Sequence, residues 1–113
     1  MIPEHMHKGT FPTGSSYICN PPVTNTDIDQ VFFVYHLGIA DEQMRGLGWT
    51  VCGPDHYPNV VWKAYRKGNL NALLTDNCQH FLKMYHATEV AKKLNLLNKA
   101  DRIALFKSII EGT

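Results

Sequence analysis

Charge of one sign is the first thing this chain lacks. Lys and Arg nearly balance Asp and Glu, leaving a formal net charge of +1 over 113 residues. Such a balance gives no electrostatic footprint for duplex DNA or an anionic membrane, although a local basic patch stays open. Long hydrophobic runs are missing too. No stretch approaches the length of a membrane span, and the opening MIPEHMHKGTFPTG has no apolar run of the kind a signal peptide carries. Cysteine is sparse: Cys19, Cys52 and Cys78 are far apart, with no C-x-x-C pair, which argues against a zinc ribbon. An odd number of cysteines beside a real core points to free thiols in a reducing compartment. There is no internal repeat and no low-complexity tract. These absences lead to the expectation of a soluble, cytoplasmic protein without a membrane partner.

What remains is globular in character. About 44% of the residues are hydrophobic, enough for the core of one ordinary domain over residues 1–113. Residues 1–12 read as an irregular lead-in, with room for a short strand before Gly14. CNPPVTNT is loop chemistry, because neither proline fits inside a ladder. DIDQVFFVY is β-branched and aromatic, almost continuous from Val31 to Tyr35, as in a strand buried on both faces. IADEQMRGLG reads as a short helix ended by Gly46 and Gly48, WTVCG as a strand and PDHYPN as a loop. VVWKAYRK alternates Trp62, Ala64 and Arg66 on one face with Lys63 and Tyr65 on the other, and KGN closes a hairpin into LNALLTD.

From Asp76 the apolar spacing becomes helical, with Asp76 or Asn77 as cap. A last helix, KADRIALFKSIIEG, has Asn98 as its cap and Gly112 as its end. Strands first and helices last predict an α+β domain: a small mixed β-sheet with C-terminal helices packed on it.

One stretch carries chemistry, TGSSYICNPPVTNTDIDQVFFV. Residues two apart on a strand share a face, so Asp27 and Asp29 point to one side. Two like charges there repel unless something positive lies between them. Magnesium suits that role, because it takes hard oxygen ligands and is often held by one or two carboxylates plus substrate phosphates. Gly14 and Ser15 supply a turn where backbone and hydroxyl can approach phosphate oxygens. Turn and carboxylates together fit metal-assisted nucleotidyl transfer.

GSSYICNPPVTNTDIDQVFFV also resembles the signature of the nucleotidyltransferase superfamily, the DNA polymerase β-like fold: Gly-Ser, a spacer, then Asp-x-Asp entering an apolar strand. With RKGNLNALLTDN and ATEVAKKLNLLNKADRIALF, most of the chain is similar to small nucleotidyltransferase-like proteins of tailed bacteriophages. The resemblance implies a minimal nucleotidyltransferase fold in the host cytoplasm. It assigns Gly14, Ser15 and Ser16 to a nucleoside triphosphate, and Asp27 and Asp29 to catalysis and Mg2+. The family's third carboxylate falls at Asn71, an amide, which is a neutral ligand and a poor base; Asp76 is the alternative. The implied activity passes a nucleotidyl group to a protein or nucleic-acid hydroxyl. The alternative is a catalytically inactive protein of the same fold that binds and modulates a host protein.

Plainer roles compete at each position. TNTD makes a turn unaided, and Gly14 to Ser16 can be one as well. Arg66 and Lys67 suit a triphosphate or a solvated hairpin tip. Lys92, Lys93, Lys99, Arg102 and Lys107 read as exposed helix faces. His5 to His7 reads as a mobile tail, His80 and His86 as independent, and Cys78 as a weak candidate nucleophile. Trp49, Trp62 and the run from Phe32 to Tyr35 are expected in the core.

Overall fold

A computed structural model describes residues 2–20, 27–52 and 62–111 of the chain. The expected proline loop, PDHYPN and the helix end at Gly112 lie outside the described residues. A 3-10 turn at Glu4–Met6 leads into β1 (His7–Thr13), α1 (Ser15–Ile18), β2 (Ile28–Val34), α2 (Leu37–Gly46) and β3 (Thr50–Cys52). Then come β4 (Trp62–Lys67), β5 (Leu70–Thr75), α3 (Cys78–Lys93) and α4 (Lys99–Glu111). The strands form one sheet in the order β1-β2-β5-β4-β3. Among the described strands only β2 and β5 run parallel, so the sheet is mixed and the domain α+β, as expected.

Both sheet faces are covered, and the strand alternation decides how. Phe32, Val34, Ala72, Leu74 and Tyr65 turn toward α2, where Ala40, Met44 and Trp49 complete a buried cluster. Val31 and Phe11 turn the other way, against Met84, Ala87 and Ala91 of α3 and Phe106 of α4. The near-continuous apolar run of β2 therefore reflects burial on both sides. Tyr35 lies just past the strand and is 63% exposed, so the expected core run stops at Val34.

The caps are local chemistry. Asn77 Oδ1 accepts from the His80 N–H at 2.9 Å, and Asn98 Oδ1 accepts from the Ala100 N–H at 2.8 Å. Asp76 does neither: its carboxylate accepts from the Leu37 N–H at 2.9 Å, at the start of α2. At the end of α2, the N–H groups of Gly48 and Trp49 close back on the carbonyls of Arg45 and Met44. Gly68 has φ +63° and opens the two-residue turn between Lys67 and Leu70, as a Gly-first hairpin turn requires.

The N-terminal reading needs correction. The strand allowed for before Gly14 is there and takes most of the lead-in, since β1 pairs with β2 from His7 to Thr13. Ile2 and Met6 are buried, and the His7 ring meets Phe32 edge-on, so His5–His7 is no free tail. Gly9 and Pro12 weaken the local strand signal. Pairing along β2 overrides it, and Pro12 is tolerated because β1 is an edge strand.

Candidate active site

The register aligns one residue from every strand in a single row: Thr13, Asp29, Asn71, Arg66 and Thr50. The parallel row two residues further in is Phe11, Val31, Leu73, Ala64 and Cys52. A polar row thus borders an apolar one on the same face. Packing of α3 covers the β1–β2 side. Beside it, a cleft of about 460 Å³ opens over β5 and β4, flanked by α4. Thr13, Gly14, Ser15, Asp27, Asp29, Asn71 and Arg66 line its polar side. Leu73, Ala64, Trp62, Ile103 and Phe106 line the apolar side.

Each polar member is held in place. The Thr88 hydroxyl donates to the Met84 carbonyl at 2.8 Å, so the buried 2.8 Å contact between Thr13 and Thr88 uses the Thr13 proton. That bond clamps the end of β1 on α3. Gly14 follows with φ +75°, caps α1, and accepts from the Ile18 N–H at 2.8 Å. A Cβ on Gly14 would collide with Oδ2 of Asp29. Glycine is therefore required twice, by its backbone angle and by the carboxylate seated against it.

Asp27 and Asp29 do share one side. The Asn71 amide N–H group donates to Asp29 Oδ1 at 2.8 Å and reaches Asp27 Oδ2 at 3.4 Å. One nitrogen near both carboxylates shows that they converge on a common point. Arg66 crosses from β4 to meet Asp27 Oδ1 at 2.6 Å, with about a third of the Asp27 side chain exposed. Burial is the main force on Asp29 and holds its carboxyl above the usual carboxylate range. The Asn71 bond opposes that, the Asp27 charge adds to it, and Arg66 and Lys99 oppose it more weakly.

The two convergent carboxylates are hard oxygen ligands that fit a magnesium ion, whereas Asn71 turns its amide N–H, and not its oxygen, toward them. Asp27 and Asp29 would hold the ion, with Asn71 beside them. Among the described residues no group of three His, Cys, Asp or Glu side chains gathers at one point.

The expected site residues do not all assemble. Gly14, Ser15, Asp27, Asp29, Asn71 and Arg66 meet in the cleft, whereas Ser16 is not in its wall. Lys67 turns to the opposite face and donates to the Leu47 carbonyl at 2.9 Å. Strand alternation separates it from Arg66, so Lys67 cannot accompany Arg66 in holding phosphate. Asp76 lies five residues past Asn71, roughly 17 Å along the strand direction, and is no third ligand.

Sequence reasoning missed two cations. Lys99 and Arg102, on the first turn of α4, both line the cleft. Arg102 is committed in part, donating to the carbonyls of Leu96 and Leu97 at 2.9 Å each. Their signal lay in position, since the Asn98 cap fixes which helical turn meets the sheet. His80 is buried and stacked on Trp62, whereas His86 is exposed. No helix among the described residues is long and apolar enough to cross a membrane. No family model, curated protein or solved structure matches the chain.

Proposed function

We propose that the cleft binds a nucleoside triphosphate with magnesium, and that the protein is a nucleotidyltransferase acting on a protein or nucleic-acid hydroxyl. One observation carries this reading: Asp27 and Asp29 converge on one point, with Asp29 seated against the Gly14 turn. The resemblance to the DNA polymerase β-like superfamily supplies the reaction. When bound, the metal would polarise the α-phosphorus and the attacking oxygen. The chain's own residues do the rest. Gly14 and Ser15 present backbone and hydroxyl to phosphate oxygens without a Cβ in the way. Arg66 from the sheet, and Lys99 and part of Arg102 from α4, supply positive charge to the cleft. The apolar side over Leu73 and Ala64 excludes water from one flank of the ligand. Asn71 cannot take a proton, so the acceptor's proton falls to Asp29 or to water.

Calorimetric titration of magnesium and ATP tests the binding, against the double variant Asp27→Ala/Asp29→Ala. Wild type should give saturable heat that the variant loses; equal, null heats would sink the site. Transfer of label from α-labelled nucleotide, dependent on both aspartates, tests the chemistry.

A second reading is favoured by Asn71 and Arg66. An amide in place of a third carboxylate, with a guanidinium on Asp27, describes an inactive protein of this fold that binds and modulates a host factor. A stoichiometric partner whose binding ignores Asp27 and Asp29, with no label transfer, would select this reading.

A further inference from the structure

We infer that Arg66 is a specificity-determining residue of this cleft: it holds Asp27 until a polyphosphate arrives, so the site takes a divalent cation several-fold more tightly together with a polyphosphate than alone. This rests on the metal–triphosphate reading above and adds the order and coupling of binding to it.

Three observations carry the inference. The Arg66 guanidinium sits on Asp27 Oδ1 at 2.6 Å, occupying one of the two carboxylates a cation would need. The other Asp27 oxygen and Asp29 Oδ1 are both engaged by the Asn71 amide. Arg66 is also in the polar row, on the β4 side of Asn71 and two places from Asp29. It is 48% exposed, anchored by a second bond from Nε to the Gly68 carbonyl at 3.2 Å. A partly exposed arginine on a hairpin shoulder can turn from a carboxylate to a phosphate in the same cleft without disturbing the core.

The consequence is a linkage. A cation arriving alone must displace the guanidinium from Asp27 and leave it without an anionic partner. Once phosphate oxygens are present, Arg66 has a bidentate partner of the kind guanidinium favours, and Asp27 is released to the metal. Each ligand removes the obstacle to the other, so coupling is reciprocal. Exposed ion pairs are worth little, so the obstacle amounts to a several-fold change in affinity and not an absolute block.

The test separates the two ligands so that metal–nucleotide complexes in solution cannot mimic coupling. Mn2+ alone is titrated by water-proton relaxation, and tripolyphosphate alone by calorimetry in EDTA, for wild type, Arg66→Gln and Lys99→Gln. Arg66→Gln should bind Mn2+ about five-fold more tightly and tripolyphosphate about ten-fold more weakly. Lys99→Gln, which removes a cleft charge that does not touch Asp27, should move Mn2+ affinity less than Arg66→Gln does. Equal gains in Mn2+ affinity from the two variants would reduce Arg66 to a general charge and overturn the inference while leaving the binding site standing. Unchanged tripolyphosphate affinity in Arg66→Gln would overturn it likewise. No Mn2+ binding in any of the three proteins would overturn the inference together with the metal reading beneath it.

Discussion

Two aspartates on opposite faces of the sheet receive opposite treatment. Asp41, on α2, accepts from the Tyr65 hydroxyl at 2.6 Å and from Arg45 Nε at 3.0 Å, with Lys63 Nζ at 3.7 Å. The Tyr65 bond, then the Arg45 bond, hold its carboxyl below the usual carboxylate range. Asp29, across the sheet, accepts from the neutral Asn71 amide, and burial holds its carboxyl above that range. Strand β4 serves both sites by alternation: Lys63 and Tyr65 face Asp41, while Arg66 faces Asp27. A carboxylate surrounded by donors is a structural tie. One left under-compensated beside a second carboxylate is poised for a positive ligand.

The sharpest way to break this contrast acts on the cleft's backbone. Gly14→Ala places a Cβ against Asp29 at a residue with φ +75°. We expect a loss of roughly 2–4 kcal/mol from the strained backbone and the displaced carboxylate. Magnesium–nucleotide binding should vanish with it, even in protein that remains folded below the new midpoint. Urea denaturation and calorimetry on the same preparation check both. A variant of wild-type stability with intact binding would mean that Asp29 is not held against this turn.

Asp41→Asn comes next. The buried Tyr65 hydroxyl would keep an oxygen acceptor but lose a charged one, and Arg45 and Lys63 would lose their counter-ion. The expected cost is about 1–2 kcal/mol at neutral pH. Because the folded carboxyl titrates below its unfolded counterpart, this stabilisation exists above the unfolded value and is lost as pH falls through the folded one. The difference between wild type and variant should therefore shrink on acidification, while ligand binding at neutral pH stays as in wild type.

The contrast also explains what could be read from the chain. The i,i+2 rule put Asp27 and Asp29 on one side, and the alternation of VVWKAYRK set Trp62, Ala64 and Arg66 apart from Lys63 and Tyr65; both rest on neighbours in sequence. The same rule separates Arg66 from Lys67, although composition had grouped them as one basic tip. Three other features depend on non-local pairing. β1 carries Gly9 and Pro12 and exists because β2 offers it a ladder. Arg66 reaches Asp27 because the β4–β5 and β2–β5 registers place Asn71 between Arg66 and Asp29. Lys99 and Arg102 enter the cleft because α3 ends where it does: the Leu96 N–H closes on the Ala91 carbonyl at 3.1 Å, and the Asn95 side chain bonds both backbone groups of Asn20.

The smallest expected effect is the most discriminating, because its sign is opposite. Asp29→Asn keeps the size of the side chain and an oxygen to accept from Asn71, but removes a charge that burial disfavours and that repels Asp27. A carboxyl whose folded value lies above its unfolded value favours the folded state while protonated, and that advantage is lost as pH rises through the folded value. At neutral pH the charged form is the less favourable occupant of this site, so the variant should melt slightly higher than wild type, by no more than a few degrees. In acid, where Asp29 is itself neutral, the two melting curves should converge. The same variant should lose magnesium-dependent nucleotide binding. Stability gained and binding lost through one atom exchange would identify Asp29 as a residue kept at a cost to the fold. A fall in melting temperature at neutral pH would instead place Asp29 with Asp41, as a second structural tie.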